Sequence, residues 1–182
     1  MPANKQTYYA HGKLLLSGEY LVLENALALA LPVRMGQIME VTVGPDSRQI
    51  VWKARDLQKE WFSCHLEWPG LDILKSSDTR TASLLQKILL VITQMNPLAP
   101  LKGGLTFSTR MEFNREWGFG SSSTLIANLA SWAGVDPYEL NQRIFKGSGF
   151  DIACADASSP LLYQKNSQPR PVELHYPFSD NL

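Results

Sequence analysis

Apolar and polar positions alternate along the first part of the chain, and helical spacing takes over later. The segments YYAHGKLLLSGEYLVL, ALALALPVRMGQIMEVTVG, RQIVWKA and KEWFSCHLEW read as strands, some two-faced and some buried on both sides, separated by Gly, Pro and Asp. From residue 81 to 95 the period changes: Leu84, Leu85, Ile88, Leu89, Ile92 and Met95 share one helical face, and Asn96-Pro97 stops the helix. KGGLTFSTRMEF alternates again as a strand. Beyond a Gly/Ser turn, Leu125, Leu129, Trp132 and Ala133 form the i, i+4, i+7, i+8 stripe of a second helix. A third starts at once, with Asp136 as N-cap, Pro137 at the first position and Glu139 at the third. PLLYQ and RPVELHY close the chain as strands. No repeat, linker or low-complexity tract interrupts this order, so residues 1–182 are expected to form one α+β domain with a mostly antiparallel sheet.

Composition narrows the classes of function. With 45% hydrophobic residues in 182, the chain can bury a substantial core. Seventeen basic residues balance seventeen acidic ones, so no field of one sign recommends nucleic acid or an anionic membrane as partner. Cys64 and Cys154 have no CxxC spacing and suit a reducing compartment. The N-terminus MPANKQTYYAHGK is not a signal peptide, and ALALALPV is too short to span a bilayer, so a cytoplasmic protein is expected.

The segment EWGFGSSSTLIANLASWA places two glycines and three serines at a helix start. It does not fit a dinucleotide fingerprint, because Ser123 stands at the third glycine position. Gly12-Lys13 does not fit a P-loop, since Thr7 replaces the early glycine and Leu14 the hydroxyl residue. A GxSxG elbow is also missing. Two readings remain open for the turn. One serine caps the helix and the glycines only shape the bend, or the free amides and hydroxyls hold an anion, to which the helix dipole adds about 0.3–1 kcal/mol.

Three motifs in order resemble those of the GHMP kinases, the family of galactose, homoserine, mevalonate and phosphomevalonate kinases. HGKLLLSGEYLVL resembles the N-terminal motif, with Lys13, Gly18 and Glu19 in register, His11 replacing the usual proline and Tyr20 the usual histidine. WGFGSSSTL resembles the nucleotide-phosphate loop, with Asn114 where proline is usual and Phe119 for leucine. GSGFDIACA resembles a segment of the mevalonate and phosphomevalonate branch that carries an aspartate, here Asp151. The resemblance spans the whole chain but only the N-terminal, ATP-binding half of such kinases. It implies their ribosomal-protein-like βαβ fold with a left-handed crossover. It further implies that the chain is a fragment lacking the C-terminal domain.

What the resemblance implies for chemistry is phosphoryl transfer from ATP to a hydroxyl or phosphate of a small metabolite. Gly118, Phe119, Gly120, Ser121, Ser122 and Ser123 would cradle the ATP phosphates. Ser122 would offer its hydroxyl to Mg²⁺, with Glu139 the nearest candidate for the family's helix glutamate on the metal. Asp151 would accept the substrate proton, and Lys13 would lie beside it, keep it ionised and ease the developing alkoxide. Each residue also has a plainer reading. Glu139 could simply complete a capping box, Lys13 could be a solvated strand-end lysine, and Asp151 could be the N-cap of a short DIACADA helix. Glu19 is expected to order the SGEY turn. His11, His65 and His175 share no metal spacing and read as structural, and the Trp and Tyr residues read as core and edge packing. The expected partners are ATP and a small-molecule substrate, with neither nucleic acid nor membrane, and a homodimer stays open. Two other classes compete: a kinase-derived nucleotide-binding protein without turnover, favoured by Asn114 and Phe119, and an RNA-binding domain of similar fold, which the balanced charge opposes.

Overall fold

In the computed structural model of the chain, residues 5–44 and 46–175 are described. Eight strands form one sheet: β1 (Gln6–Ser17), β2 (Ala28–Val43), β3 (Gln49–Arg55), β4 (Glu60–Glu67), β5 (Ile73–Ser76), β6 (Leu105–Met111), β7 (Leu161–Tyr163) and β8 (Arg170–Pro171). Its order is β5-β4-β3-β6-β2-β7-β8, with β1 paired along β2. All pairings are antiparallel except β3 with β6, which run parallel and therefore need a crossover. The crossover contains α1 (Thr79–Met95). Three further helices follow: α2 (Ser121–Ala133), α3 (Pro137–Ile144) and α4 (Phe150–Ala155).

The first strand is shorter than alternation predicts. Gly18, Tyr20 and Asn25 all have positive φ, so the chain leaves the sheet after Ser17, and Leu21–Glu24 forms a 3-10 turn instead of a strand. Pro32 is tolerated within β2 because β7 pairs with residues 28–30 and β6 with residues 37–43, leaving its edge unpaired on that side. The short β5 carries little alternation and has no counterpart in the sequence reading. At the other end RPVELHY supplies only Arg170–Pro171 to the sheet, and Tyr176 lies outside the described residues.

The core lies between one face of the sheet and α1, α2 and α3. Phe107 of β6 stacks on Trp52 at 4.9 Å between ring centroids and meets the edge of Trp132 at 4.9 Å, which ties sheet to α2. Helix α1 starts two residues earlier than its apolar stripe suggests, because Asp78 accepts a bond from the Thr81 amide at 2.7 Å and caps it. Its buried face comprises Ala82, Leu85, Ile88, Leu89 and Ile92, whereas Leu84 is turned toward solvent. Helix α2 is buried almost all round, including Thr124 and Asn128. Those two polar side chains bond to Gln37 of β2, Thr124 Oγ1 to Oε1 at 3.1 Å and Asn128 Nδ2 to the carbonyl at 2.8 Å. Their burial is thus satisfied, and the start of α2 is fixed on the sheet.

Candidate active site

The Gly/Ser turn is built onto β1. A bulge between His11 and Gly12 brings the strand so close to the turn that a Cβ on Gly12 would sit 3.1 Å from the Phe119 carbonyl. The Lys13 amide donates to that carbonyl at 3.0 Å. Gly120 then takes φ 84° as the N-cap of α2, and no side chain caps the helix. The serine cap expected on the plainer reading is not formed: Ser123 Oγ donates to the Gly120 carbonyl at 2.9 Å. The first intrahelical bond runs from the Thr124 amide to Gly120, so the amides of Ser121, Ser122 and Ser123 precede the helical ladder. Gly118, at φ 73°, faces open space.

Lys13 and Asp151 meet across this turn, with Nζ 3.3 Å from Oδ1. Asp151 is not an N-cap. Gly149, at φ 95°, opens α4, and Asp151 lies in its first turn. Tyr163 fixes that entry by donating to the Ser148 carbonyl at 2.5 Å, and a Cβ on Gly149 would strike the same hydroxyl at 2.7 Å. Burial raises the Asp151 carboxyl above its ordinary value, while the Lys13 charge pulls it down. The contact is an ion pair without a well-directed hydrogen bond, and Oδ1 is shielded from solvent with no other donor. The Lys13 ammonium also lies 4.9 Å from the centre of the Phe150 ring. Cys154, behind the pair, is pushed up to about 12 by burial and then by the Asp151 charge, so it is an inert thiol.

Two clefts flank the ion pair. One, of ≈ 290 Å³, lies over the turn and is bounded by Lys13, Asp151, Ser122, Arg115 and Asn141. The other, of ≈ 270 Å³, lies on the far side against Leu15, Glu19, Tyr20, Val22 and Phe150. The Glu19 main-chain carbonyl accepts from the Leu21 amide at 2.7 Å, and Glu19 also borders this second cleft. A third cavity, of ≈ 160 Å³ and mostly apolar, runs from Ser121 and Ser122 between α1 and the sheet past Trp52, Trp61 and Leu85. Arg115 belongs to both the first cleft and this cavity, and its guanidinium lies 3.6 Å from the centre of the Trp61 ring.

The expected metal ligands are not brought together. Ser122 borders the cleft over the turn, but Glu139 does not: its carboxylate accepts from Arg143 at 2.5 Å on the exposed side of α3. Its amide donates to the Asp136 carboxylate at 2.7 Å, which confirms the predicted cap. Asn141 is the α3 side chain at the cleft. The donor set therefore does not form the expected carboxylate-held Mg²⁺ site. His11 and His65 bond to Val33 and Gln49, at 3.0 and 3.1 Å, as structural residues do. Sequence reasoning missed Arg115, Asn141 and Trp61. The aromatic packing expectation holds for Trp52, Trp132 and Trp61, and Trp61, packed at the edge of the core, also carries a cation at a cavity wall.

No helix of the described residues is long and apolar enough to cross a membrane. No protein-family model and no curated protein matches the chain by sequence. Solved structures do match in fold. A Methanococcus jannaschii mevalonate kinase aligns over 95% of this chain and 57% of its own, with TM-score 0.70 and 16% identity. Streptococcus pneumoniae phosphomevalonate kinase in complex with phosphomevalonate and AMPPNP covers 88% of this chain and 50% of its own, with TM-score 0.62 and 19% identity. Lactococcus lactis galactokinase complexed with galactose covers 94% and 48%, with TM-score 0.64 and 12% identity. The chain thus spans about half to three fifths of these proteins. Its mixed α+β architecture, a mostly antiparallel sheet packed on helices, is the fold of the N-terminal domain of the GHMP kinases.

Proposed function

We propose that this chain is the nucleotide-binding half of a GHMP-type small-molecule kinase, which moves the γ-phosphoryl group of ATP onto a hydroxyl or phosphate of a small metabolite of the mevalonate or phosphomevalonate kind. The observation that carries the reading is the Lys13–Asp151 pair at 3.3 Å, set between an amide-rich helix start and a second cleft. Donor and acceptor would approach from opposite sides of that pair.

Phosphoryl transfer has a loose transition state, so the protein contributes mainly position and charge. The amides of residues 121–123 and the unhindered backbone at Gly118 would hold the phosphates at the positive end of α2. The acceptor oxygen attacks the γ-phosphorus, the bond to the β-γ bridging oxygen breaks, and ADP leaves. For a hydroxyl acceptor, the proton passes to Asp151 as the new bond forms. Burial suits Asp151 to this late role by raising its affinity for the proton, and Lys13 steadies the negative charge on both oxygens.

The test is Asp151→Asn, assayed with ATP, Mg²⁺ and mevalonate, phosphomevalonate and related alcohols. Turnover should fall by about 10²–10⁴-fold while nucleotide affinity is kept or tightens, since the substitution removes a negative charge from the cleft. Loss of both together would make Asp151 structural. Nucleotide binding without turnover on any acceptor would favour the binding-protein reading.

A further inference from the structure

The phosphate-side cleft is unusual in which charges border it. Among the described residues Asp151 is its only acidic lining residue, and that carboxylate is held by Lys13. Glu139 is turned away and bonded to Arg143, so α3 presents to the cleft the amide of Asn141, itself only 7% exposed. Among the described residues, no group of three or more His, Cys, Asp or Glu could hold a metal ion. Magnesium is ordinarily held through one or two carboxylates together with substrate phosphates. Here α3 offers the cleft an amide, and the carboxylate that borders it is already paired with Lys13.

The cations tell the complementary story. Lys13 and Arg115 set against Asp151 leave the cleft with a net charge of 2 − 1 = +1. Lys13 is offset by its partner, so the surplus belongs to Arg115. Among the described residues Arg115 makes no ion pair within 4.0 Å; Asp56 and Asp78 feel its charge from farther off, and neither borders the cleft. The Arg115 guanidinium carbon instead lies over the Trp61 ring, 3.6 Å from the centroid, a contact with the π face that leaves N–H donors for a phosphate. A glutamate at 141 would cancel this surplus and favour a nucleotide whose charge a metal had partly neutralised. An asparagine leaves the surplus in place and adds an amide donor.

Building on the nucleotide-binding reading above, we propose that the cleft grips the polyphosphate through Arg115, Asn141 and the loop amides, so that nucleotide binds without needing a divalent cation. Arg115 is the principal charged contact. Metal, when present, accompanies the phosphates without a carboxylate of this cleft dedicated to it.

Calorimetric titration of the full chain with ATP, in excess EDTA and in excess Mg²⁺ at matched ionic strength, tests this. The dissociation constant in EDTA should equal the Mg²⁺ value or be tighter. Arg115→Gln should weaken binding in EDTA by about tenfold or more, the scale of one charge-assisted hydrogen bond. Asn141→Glu should weaken binding in EDTA, with Mg²⁺ restoring it. Arg115 is exposed, so Arg115→Gln tests the idea even if Asn141→Glu fails to fold. Wild-type affinity more than tenfold weaker in EDTA than in Mg²⁺ would overturn the proposal and leave the kinase reading standing. An Arg115→Gln variant with unchanged affinity would overturn it too. Absence of binding in both buffers would remove the nucleotide reading along with it.

Discussion

Replacing Gly120 by alanine tests how tightly the turn is built. Gly120 has φ 84°, where an L-residue is disfavoured by about 1–2 kcal/mol. The new Cβ would lie 2.6 Å from Ser123 Oγ and 3.2 Å from Lys13 Cγ. Ser123 would have to rotate away, giving up its bond to the Gly120 carbonyl, worth about 1 kcal/mol. Together these amount to roughly 2–3 kcal/mol, or a melting temperature about 4–12 °C lower for a chain of this size. Gly118→Ala is the matched control. Its φ of 73° carries a similar backbone term, but nothing lies within 4 Å of the added methyl group. Its melting temperature should fall by only about 2–4 °C for each kcal/mol of that term. Circular dichroism melts of the three proteins, followed by titration with ATP, give both readouts. Gly120→Ala should bind ATP more weakly as well, because the first amides of α2 shift with the cap. Equal melting temperatures for the two variants would refute the steric argument, and unchanged ATP affinity would detach the turn from the site.

Other predictions follow from the same geometry. Burial raises the Asp151 carboxyl above its ordinary 3.8 despite Lys13, so the folded chain binds that proton more tightly than the unfolded chain. Unfolding free energy should therefore fall as pH rises from the ordinary carboxylate value through the raised one, and Asp151→Asn should remove that slope. Urea melts of both proteins from roughly pH 4 to pH 8 check it, and a difference that does not change with pH would refute it. Tyr163→Phe leaves the Ser148 carbonyl without its 2.5 Å donor and should destabilise the chain by about 1–2 kcal/mol in chemical denaturation. Phe107→Ala opens the centre of the Trp52–Phe107–Trp132 stack and should destabilise by about 3–5 kcal/mol; a loss below 1 kcal/mol would mean the stack is not central.

The elements most legible in the sequence were those whose pattern is local. Alternation found β2, β3, β4 and β6, and helical spacing with an aspartate cap found α3 and most of α1. Features set by positive φ were harder to read. Gly18 and Tyr20 turn the chain out of the sheet after Ser17, yet Tyr20 is a residue that alternation carries onward without penalty. Burial of α2 on nearly all sides also escaped the stripe, because Thr124 and Asn128 read as exposed polar positions until their Gln37 partner is known. In the site, motif spacing led to Lys13, Asp151 and the glycine turn, and these do converge. It led to Glu139 as well, because a one-dimensional offset cannot tell which face of a helix meets a cleft. Glu139 and Asn141 are two positions apart and therefore point in different directions, so only packing decides between them. Arg115 and Trp61 are far apart in sequence, and no local pattern joins them.

Lys13 joins the turn and the ion pair in a single residue. Its main chain fastens the glycine turn through one bond, and its side chain fastens the carboxylate. The spacing between turn and carboxylate is consequently gauged by one lysine's reach, so a shift of either is handed to the other through that single residue.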